Sequence, residues 1–161
     1  MLHIIIDGYN YINRIHTSRT GDVFYLERLR KGLLEELALY RRKRKADITV
    51  VFDAYRSNSF NRQRDMYKGI NVVYSKASET ADDIIIEYIR GKRAGTVIVS
   101  SDRAIIDEAK RCGIPFITPI RLKEAMGSEE QSEEERTRII KGNPRRLPKK
   151  LRKSIRTIEK I

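Results

Sequence analysis

Ile4-Ile5-Ile6-Asp7-Gly8-Tyr9-Asn10 is the stretch on which the fold turns. Three β-branched apolar residues in a row, rather than an apolar–polar alternation, read as a strand buried on both faces, and Asp7-Gly8 ends it abruptly. Ile48–Phe52, Val72–Tyr74 and Thr96–Val99 repeat the pattern, with a weaker run at Phe116–Thr118. Helical periodicity fills the gaps. From Val23 to Tyr40, Leu26, Leu29, Leu33, Leu34, Leu37 and Tyr40 step by threes and fours. Ala81–Ile89 and Asp102–Arg111 do the same, and Gly113 follows as a stop. Continuous strands alternating with helices indicate an α/β fold of three layers, Rossmann-like, with a central and mostly parallel sheet. This body is expected to span 1–126.

In such sheets ligands gather just outside the carboxyl ends of the strands. The chain has nine aspartates, and five of them leave strands there: Asp7, Asp53, the Asp82–Asp83 pair beyond Glu79-Thr80, and Asp102 after Ser100-Ser101. Carboxylates brought to one edge repel each other unless a cation lies between them, and a hard divalent ion with oxygen ligands suits them. Local reasons also exist for most of them. Thr80-x-x-Asp83 is a capping pattern, Asp102 suits the first turn of its helix with Ser100 or Ser101 as cap, and Asp53 could cap or turn the chain. Asp7, at the end of a buried run, carries no such expectation. Zinc has no Cys and His set, since His3 and His16 lack partners at ligand spacing. A dinucleotide fingerprint, a P-loop and a nucleophile elbow are all missing from the sequence. Metal-assisted phosphodiester chemistry, or a site without chemistry, is left.

The charge points the same way. Of a net +12, the segment 136–161 supplies +10, with eleven Lys and Arg against the single acid Glu159. A near-neutral body with a basic end suggests a polyanion, nucleic acid first. The extension 127–161 runs acidic then basic, from Glu129–Glu135 into a stretch where Leu147, Leu151, Ile155, Ile158 and Ile161 form an apolar stripe, so a basic helical tail is expected. Nearer the acids, Arg56, Arg62, Arg64 and Lys68 alternate with Tyr55, Phe60 and Tyr67, a mixture that would neutralise phosphates and stack on unpaired bases from a loop. The run Arg41–Lys45 reads as the cationic end of the first long helix. One cysteine, Cys112, excludes an intramolecular disulfide framework, and the apolar runs are too short for a signal peptide or a membrane span, so a cytoplasmic protein without a membrane partner is expected.

Taken in order, Ile-Ile-Ile-Asp7-Gly8-Tyr9-Asn10, Val-Val-Phe-Asp53-Ala54, Ser75-Lys-Ala-Ser-Glu79-Thr80-Ala81-Asp82 and Ser100-Ser101-Asp102 resemble the NYN domain, a PIN-like nuclease fold, and its YacP-like branch in particular. The resemblance implies a Mg²⁺- or Mn²⁺-dependent endoribonuclease with Asp7, Asp82 and Asp102 as metal carboxylates and Asp53 near them. It also implies that Asn10 meets a substrate phosphate or a metal-bound water and that Asp83 lies at a neighbouring acidic position, with Glu79 beside it as a support. Ser101 and Lys76 are expected on the substrate together with the Arg56, Arg62 and Arg64 of the basic and aromatic segment. Some members act on mRNA or ribosome-associated RNA, and RNA is the partner it implies here. Two other readings stay open at this level: a noncatalytic RNA-binding adaptor whose acids are only caps, and a structure-specific DNA nuclease.

Overall fold

The computed structural model describes residues 1–16, 23–54 and 60–127. In chain order come β1 (His3–Asp7), α1 (Gly8–Ile15), α2 (Val23–Arg44), β2 (Asp47–Phe52), β3 (Gln63–Tyr67), β4 (Ile70–Tyr74), α3 (Ala81–Arg90), β5 (Thr96–Val99), α4 (Arg103–Cys112) and β6 (Phe116–Ile117). A further helix, α5, runs over 119–127. The strands form one sheet in the order β3-β4-β2-β1-β5-β6. All neighbours are parallel except β3 and β4.

The apolar strands are buried on both faces, as their unbroken composition requires. Ile4, Ile6, Ile48, Val50, Phe52, Val72 and Val99 pack with Tyr11 and Ile12 of α1, Leu33 and Leu37 of α2, and Leu122 and Met126 of α5. Ile5, Val51, Val73 and Ile98 project the other way onto Ile84, Ile85 and Ile89 of α3 and Ile105 and Ala109 of α4. Side chains alternate across a strand, so one run of isoleucines feeds two cores. The result is a mixed α/β sandwich of three layers. Two helices, α3 and α4, cover one face, and three cover the other.

Three elements differ from the sequence expectation. A helix, α1, begins immediately after Asp7 where only a strand exit was read. The segment after Asp53 is not a free loop throughout: β3 occupies Gln63–Tyr67 and closes a hairpin with β4. Lys68 and Gly69 turn it, both with positive φ, 47° and 83°, the backbone signature of a type I′ turn. And α5 extends the body with a helix that the periodicity had not revealed. Tyr55, Arg56, the acidic run 129–135 and the basic tail with its Leu147–Ile161 stripe lie outside the described residues. No helix among the described residues is long and apolar enough to cross a membrane.

Candidate active site

The chain runs outward from β1 through β2 to β4, then crosses back to place β5 on the other side of β1. The sheet therefore changes direction between β1 and β5, and the crevice outside their carboxyl ends is where an open α/β sheet binds ligands. Asp7 ends β1, Ser100-Ser101-Asp102 leaves β5, Asp53 leaves β2, and α3 brings Asp82 in its first turn.

Asp7 is buried, 7% exposed. It does have a local role, contrary to the sequence expectation: it is the N-cap of α1. Its Oδ1 accepts from the backbone N–H of Asn10 at 3.2 Å, and its Oδ2 accepts from the hydroxyl of Ser100 at 3.3 Å. Burial pushes its carboxyl up to about 6; the charges of Asp82 and Asp53 add to this, and the bonds from Asn10 and Ser100 oppose it. Gly8 lets the helix start this close to the sheet, because a Cβ there would lie 2.2 Å from Cε1 of Phe52.

Asp102 is itself the N-cap of α4, so neither serine takes that place. Its Oδ1 accepts from the N–H groups of Ala104 and Ile105 at 2.8 and 3.3 Å. Ser100, fully buried, receives the backbone N–H of Asp102 at 3.0 Å while donating to Asp7. One hydroxyl thus fixes two of the acids. Asn10 ties in from α1: its Oδ1 accepts from the N–H and the hydroxyl of Ser101, at 2.8 and 3.0 Å.

Asp53 accepts at Oδ1 from the N–H of Ala81 at 2.7 Å, linking the β2 exit to the start of α3. Thr80 caps α3, and Asp83 closes a capping box with it, Oδ2 accepting from the Thr80 N–H at 2.9 Å. Asp83 is therefore turned back onto its own helix end, and only its charge is felt at Asp82. Asp82 has no hydrogen-bond or ion-pair partner among the described residues. Burial raises its carboxyl, and the charges of Asp102, Asp53 and Asp83 push the same way.

Asp7 feels the charges of Asp82 and Asp53, and Asp82 those of Asp102 and Asp53, and among the described residues no Lys or Arg ion-pairs with any of the four. Nor do three His, Cys, Asp or Glu side chains among those residues gather tightly enough to hold a metal ion as they stand. The donor set still fits a hard divalent cation. It is all carboxylate oxygen, it repels itself, and Asp82 is committed to no other bond among the described residues.

The expected substrate groups divide. Asn10 and Ser101 stand together at the crevice. Arg62 is engaged elsewhere: its Nε donates to Glu79 at 2.8 Å, and its Nη2 bridges Glu79 and Glu87. Arg62 and Glu79 are thus bound to each other, with Glu87 sharing the same guanidinium. Arg64 is exposed on β3, and Lys76 is half-buried after β4. Phe60 is 91% exposed, whereas Tyr67 donates its hydroxyl to Glu35 at the flank of α2. Sequence reasoning treated Ser100 only as a cap and missed Ser75, buried after β4, whose Oγ accepts from the N–H of Ala54 at 3.0 Å. The signal for both was a small hydroxyl residue directly at a strand exit.

Comparison with known proteins gives consistent findings. The family model described as the YacP-like NYN domain matches residues 4–161. Nothing among curated proteins matches. Among solved structures, a tryptophan-to-leucine variant of Rae1 (YacP) from Bacillus subtilis is similar with a TM-score of 0.71 at 22% identity, covering 88% of this chain and 84% of that one. The Rae1 (YacP) structure without that change gives 0.66 at 23% identity, over 87% and 82%.

Proposed function

This chain belongs to the YacP-like NYN family, a PIN-like nuclease family, and on that premise we propose that it is a divalent-metal-dependent endoribonuclease. The observation that supports the reading is that Asp7, Asp53, Asp82 and Asp102 all lie at the carboxyl edge of the sheet around the β1–β5 switch, with the buried Asp7 carboxyl pushed up by burial and by two neighbouring carboxylates. Asp7, Asp82 and Asp102 would hold Mg²⁺ or Mn²⁺, with Asp53 alongside. Such an ion, when bound, polarises a phosphodiester and activates water. Ser100 fixes the spacing of Asp7 and Asp102, and Asn10 holds the Ser101 loop while its amide N–H₂ faces the substrate phosphate. Arg64 and Lys76 supply charge for the RNA strand, and mRNA or ribosome-associated RNA in the cytoplasm is the substrate class proposed.

One observation favours a second reading, a noncatalytic RNA-binding protein. Asp7 and Asp102 cap helices, and Asp53 bonds the start of α3, so three of the acids serve the fold. Cleavage of labelled single-stranded RNA in Mn²⁺, in Mg²⁺ and in EDTA decides between them, with Asp7→Asn and Asp82→Asn beside the wild type. Metal-dependent cuts that vanish in both variants support the nuclease. Binding without cuts, and no heat of Mn²⁺ binding by calorimetry, would leave the adaptor; turnover of DNA in preference to RNA would move the substrate class.

A further inference from the structure

Helix α1 starts at Asp7 and ends beside another part of the same crevice. Arg14, in its last turn, donates from Nε to the hydroxyl of Ser101 at 2.7 Å. Ser101 donates to Asn10, and the Asn10 N–H donates to Asp7. A short bonded chain therefore connects the Arg14 guanidinium to the buried acid. The Arg14 side chain is exposed, and among the described residues it forms no ion pair.

A cation in the last turn of a helix favours the helix dipole, which accounts for a positive charge at this position. It does not account for one pinned through Nε to the loop that carries Asp102. With Nε held, the two terminal nitrogens remain as a planar fork, the shape that takes two phosphate oxygens at once. The start of α4 beside it has little else to offer an anion, since the N–H groups of Ala104 and Ile105 are already given to Asp102. Yet α4 opens with Arg103, exposed and without an ion pair among the described residues. A cation at the first position of a helix opposes the dipole, so local structure gives no reason for it.

We propose that Arg14, with Arg103 close by in sequence to its Ser101 anchor, grips a backbone phosphate of the RNA strand on the β5 side of the acid cluster. The position is a binding and positioning one. The Arg14 guanidinium is bonded to Ser101, the residue before Asp102, so the phosphate it holds neighbours the one being cut. This inference rests on the nuclease reading for its substrate, and binding tests it without requiring a cut.

The experiment uses the intact chain in EDTA and a labelled oligouridine RNA of about 12 nucleotides, within the usual site sizes for single strands, titrated at several salt concentrations. Arg14→Gln is expected to weaken binding about tenfold and to make the slope of log K against log salt shallower by about 0.7, the amount one lost phosphate contact gives with a single strand. Arg14→Lys keeps the charge and is expected to recover the slope while losing part of the affinity. Arg103→Gln, added to Arg14→Gln, is expected to flatten the slope again. An unchanged slope in Arg14→Gln would overturn the proposal whatever happens to the affinity, because a displaced Ser101 loop does not change the number of phosphates neutralised. In the cleavage assay Arg14→Gln should raise KM and spare kcat. If the wild type cuts nothing in Mn²⁺ or Mg²⁺, the nuclease reading fails, and the salt slope still decides the role of Arg14.

Discussion

Ser100 donates its hydroxyl to Asp7 at 3.3 Å while accepting the backbone N–H of Asp102 at 3.0 Å, so the ends of β1 and β5 are locked through one buried oxygen. Ser100→Ala removes both bonds. It leaves a part-buried N–H without its acceptor and takes away an interaction that holds the Asp7 carboxyl down. We expect a loss of about 1–3 kcal/mol in urea denaturation, and a shift of the pH profile of metal-dependent cleavage to higher pH. A variant with wild-type stability and profile would mean that the hydroxyl sets neither acid.

Asp7 gives a pH prediction with a definite sign. Its carboxyl titrates near the ordinary 3.8 in the unfolded chain and at about 6 in the folded one. Between those values the native state holds the extra proton, so stability contributed by this group falls as pH rises from about 4 to 6 and stays lost above that. Asp7→Asn keeps an oxygen for capping and carries no charge. In EDTA it should therefore be more stable than the wild type at pH 7, by up to about 3 kcal/mol, with the gap closing toward pH 4. On the proposed nuclease reading Asp7 binds Mn²⁺ only when ionised, so stabilisation of the wild type by Mn²⁺ should grow through pH 6 and be small in the variant. Melting curves at pH 4, 5, 6 and 7 with and without Mn²⁺ check both halves; an Asp7→Asn less stable than wild type at pH 7 in EDTA contradicts the first.

The strands that build the crevice were legible because burial on both faces leaves an uninterrupted apolar run, and the acids were legible because Asp7, Asp53 and Asp102 stand at or just past the end of one and Asp82 opens the helix that follows another. The local work of those acids was less so. Asp7 capping α1 escaped notice because Tyr9-Asn10-Tyr11-Ile12 offers no long apolar period to mark a helix. β3 was hidden for the opposite reason: an edge strand reading Gln-Arg-Asp-Met-Tyr is exposed at four of its five residues, so it carries no apolar–polar alternation. Its one local mark is the Lys68-Gly69 turn, whose positive φ values appear only in the structure. The ion pairs of Arg62 with Glu79 and Glu87 are not legible in the sequence, because spacing along the chain does not encode contacts between residues 17 and 25 positions apart.

Gly8 is a packing requirement of the site. A side chain there would bring Cβ to within 2.2–2.8 Å of three atoms of the Phe52 ring, which is also held edge-on by Tyr9 and stacked on Tyr74. Gly8→Ala should cost about 3 kcal/mol and displace the start of α1, hence Asp7, with cleavage falling further than stability alone explains. Phe52→Leu opens the space at its own cost. In a double-mutant cycle the pair should couple favourably by about 1 kcal/mol or more. Simple additivity would show that the close approach is not what demands glycine.

The Arg62 clamp binds the beginning of β3 to α3. Glu79 directly precedes the cap Thr80, and Glu87 lies further along the same helix, so a single guanidinium steadies the element that carries Asp82. The bonds to Arg62 hold the carboxyls of Glu79 and Glu87 below their ordinary range. For acids lowered in this way the contribution is complete above the unfolded value of 4.5 and is lost as pH falls through the folded values. Arg62→Ala should cost about 2 kcal/mol at pH 7, because the Glu79 side chain, 10% exposed, is left without its partner. Arg62→Lys should recover only part of this, since a lysine cannot make the two-pronged contact. The gap between wild type and Arg62→Ala should hold from pH 7 to 5 and shrink below 4.5, where the carboxylates take up protons in the variant first. Urea denaturation at pH 7, 5 and 3.5 measures it. A gap as wide at 3.5 as at 7 would mean that the arginine acts through the packing of its stem rather than through the two acids.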